Sequence, residues 1–337
     1  MSSTIIGNAN ENAAPYPPHV QASKVQFNKE DHSRLLGVSG WDGLLYIYNV
    51  DHTGQFEQLK YFFSGKPILC FSFAGTGKIA NGGAERNVKL NDLETSKETI
   101  LGSHERMVRC MEYSSFSRAL VTGSWDATVK IWDVRNRGVV QEALLDERVY
   151  AMDVHDDSIL VGTKDRQILL FDARNMKAPV FQKESPLKFQ TRCVSFFPEG
   201  DSYVVTSIEG RVAVEYVNQA PRVQKNKYVF KCHRGKKDAD GVENVYPVNA
   251  VAFHPKYSTF ATGGSDAMVN IWDPFSRKRI VQLRKFEAGV VSLGFNWDGS
   301  QLAIATSYAY EYEIDPTPLP ATQIIVKNNQ ESDVRPK

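Results

Sequence analysis

Short runs in which apolar and polar residues alternate, each closed by glycine or a small polar cluster, fill most of the chain. VRCMEY, ALVTGS and TVKIWD follow one another with tight joints between them, and VNAVAFHP, FATGG and VNIWD repeat that arrangement later. A period of two with β-branched enrichment predicts strands, and the glycine-rich joints predict hairpins. Helical periodicity is almost absent.

The segments VSGWDGLLYIYNV, NGGAERNVKLNDL, VTGSWDATVKIWDV, VGTKDRQILLFDA, TSIEGRVAVEYVN, TGGSDAMVNIWDP and ATSYAYEYEID align on the turn after the second strand. One position of that turn is then held by Asp42, Glu85, Asp126, Asp165, Glu209, Asp266 and Tyr308, at spacings of 43, 41, 39, 44, 57 and 42 residues. Units of about 40–45 residues with four strands are the size of propeller blades. One such sheet cannot bury both its faces, whereas blades stacked around an axis bury each other's. The expectation is an all-β, seven-bladed β-propeller forming a single domain over residues 1–327. A ring must close. The last unit supplies VVSLGFN, LAIATS and TQIIVK, so a stretch within the first 18 residues is expected to add its fourth strand. The terminal residues 328–337, NNQESDVRPK, read as a disordered tail.

The third unit has the fullest polar set: His104, Thr122, Asp126 and Trp132. This arrangement resembles the WD-repeat family, in which such residues form a hydrogen-bonded chain inside the blade. A buried chain of this kind persists only when every polar group has a partner, so its role is structural.

Composition narrows the function. A hydrophobic content of 42% suffices for a core, and a net charge of +1 supplies no global field toward nucleic acid or membrane. Cys70, Cys110, Cys193 and Cys232 lie far apart, with no CxxC or zinc-type spacing, and read as reduced thiols of an intracellular protein. The N-terminus lacks the apolar core of a signal peptide, and no run has the length of a spanning helix. AGTGKIANGG is not GxxxxGK[ST] and lies between strands, so it reads as a hairpin turn. There is no GxSxG or HExxH, and the seven histidines are scattered without ligand spacing. No catalytic residue, metal or cofactor is expected; a binding platform is.

Three departures from the repeat mark surface chemistry. Trp41 and Trp125 precede the turn aspartate, where other units carry Ala84, Lys164, Ile208 and Ser265. Equivalent turns share a face, so both indoles emerge there, either packed on neighbouring loops or exposed as interface anchors. Arg211 lies in the equivalent turn of SIEGRVAVEY, and Arg192 breaks the apolar alternation of FQTRCVSFF. Each arginine is either paired structurally or part of an anion site. The run RVQKNKYVFKCHRGKK, residues 222–237, carries seven Lys or Arg and no acid, inside the longest spacing. Within it YVFKCHR alternates like a strand, which places Lys231, His233 and Arg234 beside Arg211. Such ordered cations suit a phosphoryl group; single-stranded nucleic acid is disfavoured by the local extent of the cluster and its few aromatics.

TGSWDATVKIWD, ESPLKFQTRCVSFFP, TSIEGRVAVEY, YVFKCHR, YPVNAVAFHP, FATGGSDAMVNIWDPF and LAIATSYAYE resemble the Bub-family mitotic checkpoint propellers over nearly the whole chain. A sibling group, the messenger-RNA export propellers that bind a nucleoporin peptide, shares SIEGRVA and FKCHR, while FQTRC and VAVEY resemble the checkpoint branch. The resemblance implies a non-enzymatic spindle-checkpoint adaptor with two ligands. A short acidic peptide of a checkpoint kinase, or of its pseudokinase relative, would lie across Trp41, Trp125 and Arg192. Phosphothreonine in Met-Glu-Leu-Thr repeats of a kinetochore scaffold would fall to Arg211 and Arg234, with Lys231. It also implies a monomeric propeller working in hetero-complexes, with no direct DNA or membrane partner, in the nucleus and at mitotic kinetochores as well as in the cytoplasm. NANENAAPYPP departs from the family pattern and leaves the register of the closing strand open.

Overall fold

The computed structural model describes residues 10–30, 32–135, 138–237, 239–310 and 317–337. Seven antiparallel sheets of four strands succeed one another along the chain, together with one two-stranded hairpin. Blade three shows the plan: Val108–Ser114 lines the axis, and Ala119–Ser124, Thr128–Asp133 and Val139–Leu144 step outward. Alternation sends one set of its side chains to each face, and each set is covered by a neighbour. Val121, Val129 and Ile131 pack with Val149, Met152 and Val161 of blade four, and Leu120 and Trp132 pack with Ala80 and Val88 of blade two. The GTG of AGTGKIANGG is a hairpin turn, closed by the Ala74 amide on the Lys78 carbonyl at 2.9 Å. The seventh unit's third strand is Gln323–Asn328; the EYEID part of the aligned segment lies outside the described residues.

Glu11–Ala13 closes the ring as the outer strand of blade seven, with Glu11 opposite Lys327 and Ala13 opposite Ile325. The departing flank supplies the fastening. Glu11, almost buried, pairs with Arg284 Nε at 2.8 Å, and the amides of Asn12 and Asn328 both donate to the Thr53 carbonyl of blade one at 2.8 Å. The C-terminal residues differ from the disordered tail expected of 328–337. Glu331–Val334 forms a helical turn, Val334 enters the core beside blades six and seven, and Thr259 Oγ1 donates to its carbonyl at 2.6 Å. One valine among charged residues is too little apolar signal for composition to reveal.

The polar chain inside blade three is present. His104 Nδ1 meets Asp126 Oδ2 at 3.0 Å, His104 Nε2 meets Thr122 Oγ1 at 2.8 Å, and Trp132 Nε1 donates to that hydroxyl at 2.8 Å. Burial pushes the Asp126 carboxyl up, but hydrogen bonds from His104 and Thr128 outweigh it and hold the group well below the usual carboxylate range. Blade six has a second complete chain that the repeat alignment missed. His233 meets Asp266 at 2.8 Å and Thr262 at 2.8 Å, and Trp272 Nε1 donates to Thr262 at 2.9 Å. His and Asp are 22 residues apart in blade three and 33 in blade six, because the hairpin Arg234–Lys237/Glu243–Val245 is inserted between them. His233 therefore belongs to the blade core and is buried, correcting its expected place among the surface cations.

The four cysteines are free thiols, and burial pushes Cys110 up to about 11 and Cys193 up to about 12. Among the described residues no group of three or more His, Cys, Asp or Glu is placed to hold a metal, and no helix is long and apolar enough to cross a membrane.

Two predictions follow from these interiors. His233→Ala and His104→Ala should each cost about 1–3 kcal/mol, since each leaves a buried aspartate and threonine without their partner; urea denaturation of both variants measures it. His254 is buried, its Nδ1 accepts the Lys256 and Tyr257 amides at 3.2 Å, and burial drives its pKa down to about 4. An unfolded histidine binds its proton near pH 6.5, roughly, so the unfolded state takes up more protons as pH falls from there toward 4. Wild-type stability should fall across that window, and His254→Asn should flatten the profile of denaturation midpoint against pH.

Candidate functional site

The seven inner strands share one irregularity. Each pairs with the next strand through a bulge after its first residue, leaving Ser23, Leu69, Arg109, Tyr150, Arg192, Asn249 and Val291 out of register. A bulged residue loses its ladder partner and its side chain is re-aimed. All seven line the axial channel, a cavity of about 450 Å³. The turn between second and third strands is fixed just as regularly. The amides of Trp41, Ala84, Trp125, Lys164, Ile208, Ser265 and Ser307 donate to Gln21, Pro67, Met107, Arg148, Gln190, Pro247 and Gly289, each at the entrance to the inner strand. The turns and the bulges thus share one face of the ring, and the position of each tryptophan is equivalent from blade to blade, as the alignment predicts.

On that face an aromatic and cationic group spans blades three to five. The Trp125 indole lies 6.1 Å from the Tyr150 ring, with the Arg148 guanidinium 5.5 Å above it. Its Nε1 is buried and has no hydrogen-bond acceptor among the described residues. Trp125 thus packs on the neighbouring blade while remaining part of the surface. Trp41, in blade one, is 52% exposed. On the same blade Tyr16, Leu44, Tyr46 and Tyr61 line a shallow cleft. Arg192 is gripped by the next blade: Nε and Nη2 donate to Asn249 Oδ1 at 3.0 and 2.6 Å, and Asn249 Nδ2 donates to Ser265 Oγ at 2.9 Å. The guanidinium is therefore aimed before any ligand arrives. Deeper in the channel Lys24 is neutralised by Glu112 at 2.6 Å.

The second group surrounds the turn of blade five. Arg211 and Lys231 are directly opposite in the ladder between Arg211–Tyr216 and Tyr228–Lys231, so their side chains share a face. Arg234 reaches the same turn from the inserted hairpin, with Nη2 on the Glu209 carbonyl at 2.8 Å and Nη1 on Glu243 at 2.9 Å. Glu209 Oε2 is 3.3 Å from Arg211 Nε, and Oε1 accepts the Lys188 amide at 3.1 Å. Gly210 permits this crowding. Its φ is +60°, and a Cβ there would stand 2.7 Å from the Cys232 carbonyl. Three cations on one turn can present several donors to one ligand with clustered acceptor oxygens.

The structure thus brings Arg211, Lys231 and Arg234 together, and sets Trp125 and Arg192 on the same face with Trp41 farther round the ring. His104, Thr122, Asp126 and Trp132 form a separate, interior group. Tyr150, Arg148 and the exposed Phe189 beside Lys188 escaped the sequence reading. Tyr150 had a usable signal, since it falls at the same strand position as Arg192. Phe189 and Arg148 lie in connections of irregular length and had none.

The model "WD domain, G-beta repeat" matches residues 95–133 and 225–273, the regions of blades three and six that hold the two complete polar chains. The structure titled "Structure of U3-55K" superposes with a TM-score of 0.79 at 14% identity, covering 95% of this chain and 98% of that one, which shows the propeller fold. Mitotic checkpoint protein bub-3 of Caenorhabditis elegans is 54% identical over 100% of this chain and 99% of its own. Mitotic checkpoint protein BUB3.1 of Arabidopsis thaliana is 41% identical over 95% and 93%. The mRNA export factor GLE2 of Chaetomium thermophilum is 35% identical over 87% and 82%, consistent with a sibling group. With more than half its residues shared along the full length of the nematode relative, the chain belongs to the Bub3 family of mitotic checkpoint WD-repeat propellers.

Proposed function

We propose that this spindle-checkpoint propeller is a bivalent, non-enzymatic adaptor. One ligand is a short acidic peptide of a checkpoint kinase or its pseudokinase relative, held by Trp41, Trp125 and Arg192. The other is phosphothreonine in Met-Glu-Leu-Thr repeats of a kinetochore scaffold, held by Arg211, Arg234 and Lys231. In this reading the protein acts as a monomer within hetero-complexes, concentrates in the nucleus and at mitotic kinetochores, and carries the kinase there once the scaffold is phosphorylated.

The observation that carries the reading is the convergence of Arg211, Lys231 and Arg234 on a single turn, on the face that also bears the two tryptophans. Phosphorylation adds about 1.5 to 2 negative charges and three acceptor oxygens, which suits preset guanidiniums. The peptide site has complementary support. The Trp125 indole N–H is a buried donor lacking an acceptor among the described residues, which a peptide carbonyl laid across it would supply, and Asn249 holds Arg192 in a fixed pose for a carboxylate.

Two substitutions separate the sites. Arg211→Glu should abolish binding of a phosphothreonine repeat peptide, measured by fluorescence anisotropy, with an unchanged melting temperature; unaltered affinity would sink that assignment. Trp125→Ala should weaken the kinase peptide by about 2 kcal/mol, as loss of an interface anchor does, in calorimetric titration. A loss of only a few tenths would return Trp125 to a packing role.

A further inference from the structure

We propose that the kinase peptide continues past Trp41 and seats bulky apolar side chains in the cleft between blades seven and one, lined by Tyr16, Leu44, Tyr46 and Tyr61. The inference rests on the reading of Trp41, Trp125 and Arg192 as the site of that peptide, and concerns the part of the ligand that flanks its acidic stretch.

The cleft exists because two neighbouring outer strands differ in length. Blade one ends in Phe56–Phe63, eight residues long, whereas the outer strand of blade seven is Glu11–Ala13, three residues long. Tyr46 stands opposite Tyr61, and Leu44 opposite Phe63, so all four side chains share one face of blade one. That face is turned to blade seven, since Leu44 and Tyr46 pack with Ala303, Ala305 and Ile324. Blade seven buries Tyr46 but leaves Tyr61 59% and Phe63 64% exposed. After Ala13 the chain makes one more bond to blade seven, from the Ala14 amide to the Ile324 carbonyl at 2.8 Å, and then crosses to blade one through Tyr16 and Pro17. The Tyr48 hydroxyl donates to the Tyr16 carbonyl at 2.5 Å and fixes that crossing. Tyr16 and Pro17 thus form one wall of the cleft, Gln58 and Tyr61 the other, and Tyr46 the floor.

Tyr16, 69% exposed, adds a third uncovered ring. Large rings left uncovered side by side mark an interaction site. The occupant follows from continuity and from charge. The turn that carries Trp41 is tied to the cleft on both sides: Asp42 accepts the Tyr46 hydroxyl at 2.8 Å, and a Cβ on Gly40 would stand 3.2 Å from Pro18. A peptide running outward from Trp41 therefore enters the cleft. Among the described residues no lysine, arginine, aspartate or glutamate lines it, in contrast to Arg192 at the other end of the peptide's path. Acidic side chains gain nothing there, whereas aliphatic or aromatic ones bury apolar surface against the rings. Tyr46 has its hydroxyl committed to Asp42 and offers only its ring. The peptide is thus bipartite, acidic over blades three to five and apolar over blade one.

The test uses the full chain and two fluorescent peptides of the partner kinase. One is the acidic stretch alone, and the other adds about ten residues at each end, enough for roughly 33 Å of extended chain. Tyr61→Asp places a charge in the cleft, on an outer strand; Phe63→Ser serves if that variant fails to fold. Either should weaken the longer peptide by about tenfold and leave the shorter one unchanged. If a folded variant binds the longer peptide as tightly as wild type does, while Trp125→Ala weakens both peptides, the inference is wrong and the site assignment stands. If Trp125→Ala and Arg192→Ala leave both affinities unchanged, the assignment itself fails. Concentration-dependent dimerisation that Tyr61→Asp abolishes would give the cleft to a second copy of the chain and overturn the inference as well.

Discussion

Within every blade the inner strand pairs in a pattern that leaves one side chain without a place in the ladder. The inner strand must bulge after its first residue, and the turn amide must reach the carbonyl just before that strand. Those two backbone facts, repeated seven times, fix where a side chain can serve a ligand without weakening the ring. The second residue of an inner strand and the residue beside the turn aspartate are free to vary, whereas the residues around them are committed to packing. Arg192 and Tyr150 stand at the first kind of position, Trp41 and Trp125 at the second.

The interior chains of blades three and six set the other limit. A blade that keeps His, Thr, Asp and Trp is bound to its turn from within, and its aspartate faces inward. Blade five lacks the histidine and the tryptophan, and Glu209 lies beside Arg211 instead. Its acid, its arginine and the inserted hairpin then assemble into a surface group. The two groups share a face, and both draw on blade five, Arg192 from its inner strand and Arg211 from its third.

Much of this was legible in the sequence. The spacing of the turn residues sets blade number, and the equivalence of Trp41 with Trp125 follows from alignment on the aspartate. Arg192 betrays itself by interrupting an apolar alternation. The second polar chain was hidden because the insertion stretches its His–Asp separation from 22 to 33 residues, which drew His233 into the apparent basic strand. Val334 was hidden because a single buried side chain has no period. The carboxylate partners of Arg211 and Arg234 could not be read at all. Glu209 is near Arg211 in sequence, but its ionic contact depends on the absence of a histidine contributed by the preceding outer strand.

The central claim is that two separate sites on one face are occupied together. Calorimetric titration of the phosphothreonine repeat peptide into the propeller already saturated with the kinase peptide tests this most directly. The account predicts one phosphopeptide bound per propeller, with the kinase peptide retained in the complex. Displacement of the kinase peptide by the phosphopeptide would show a single shared site and contradict it.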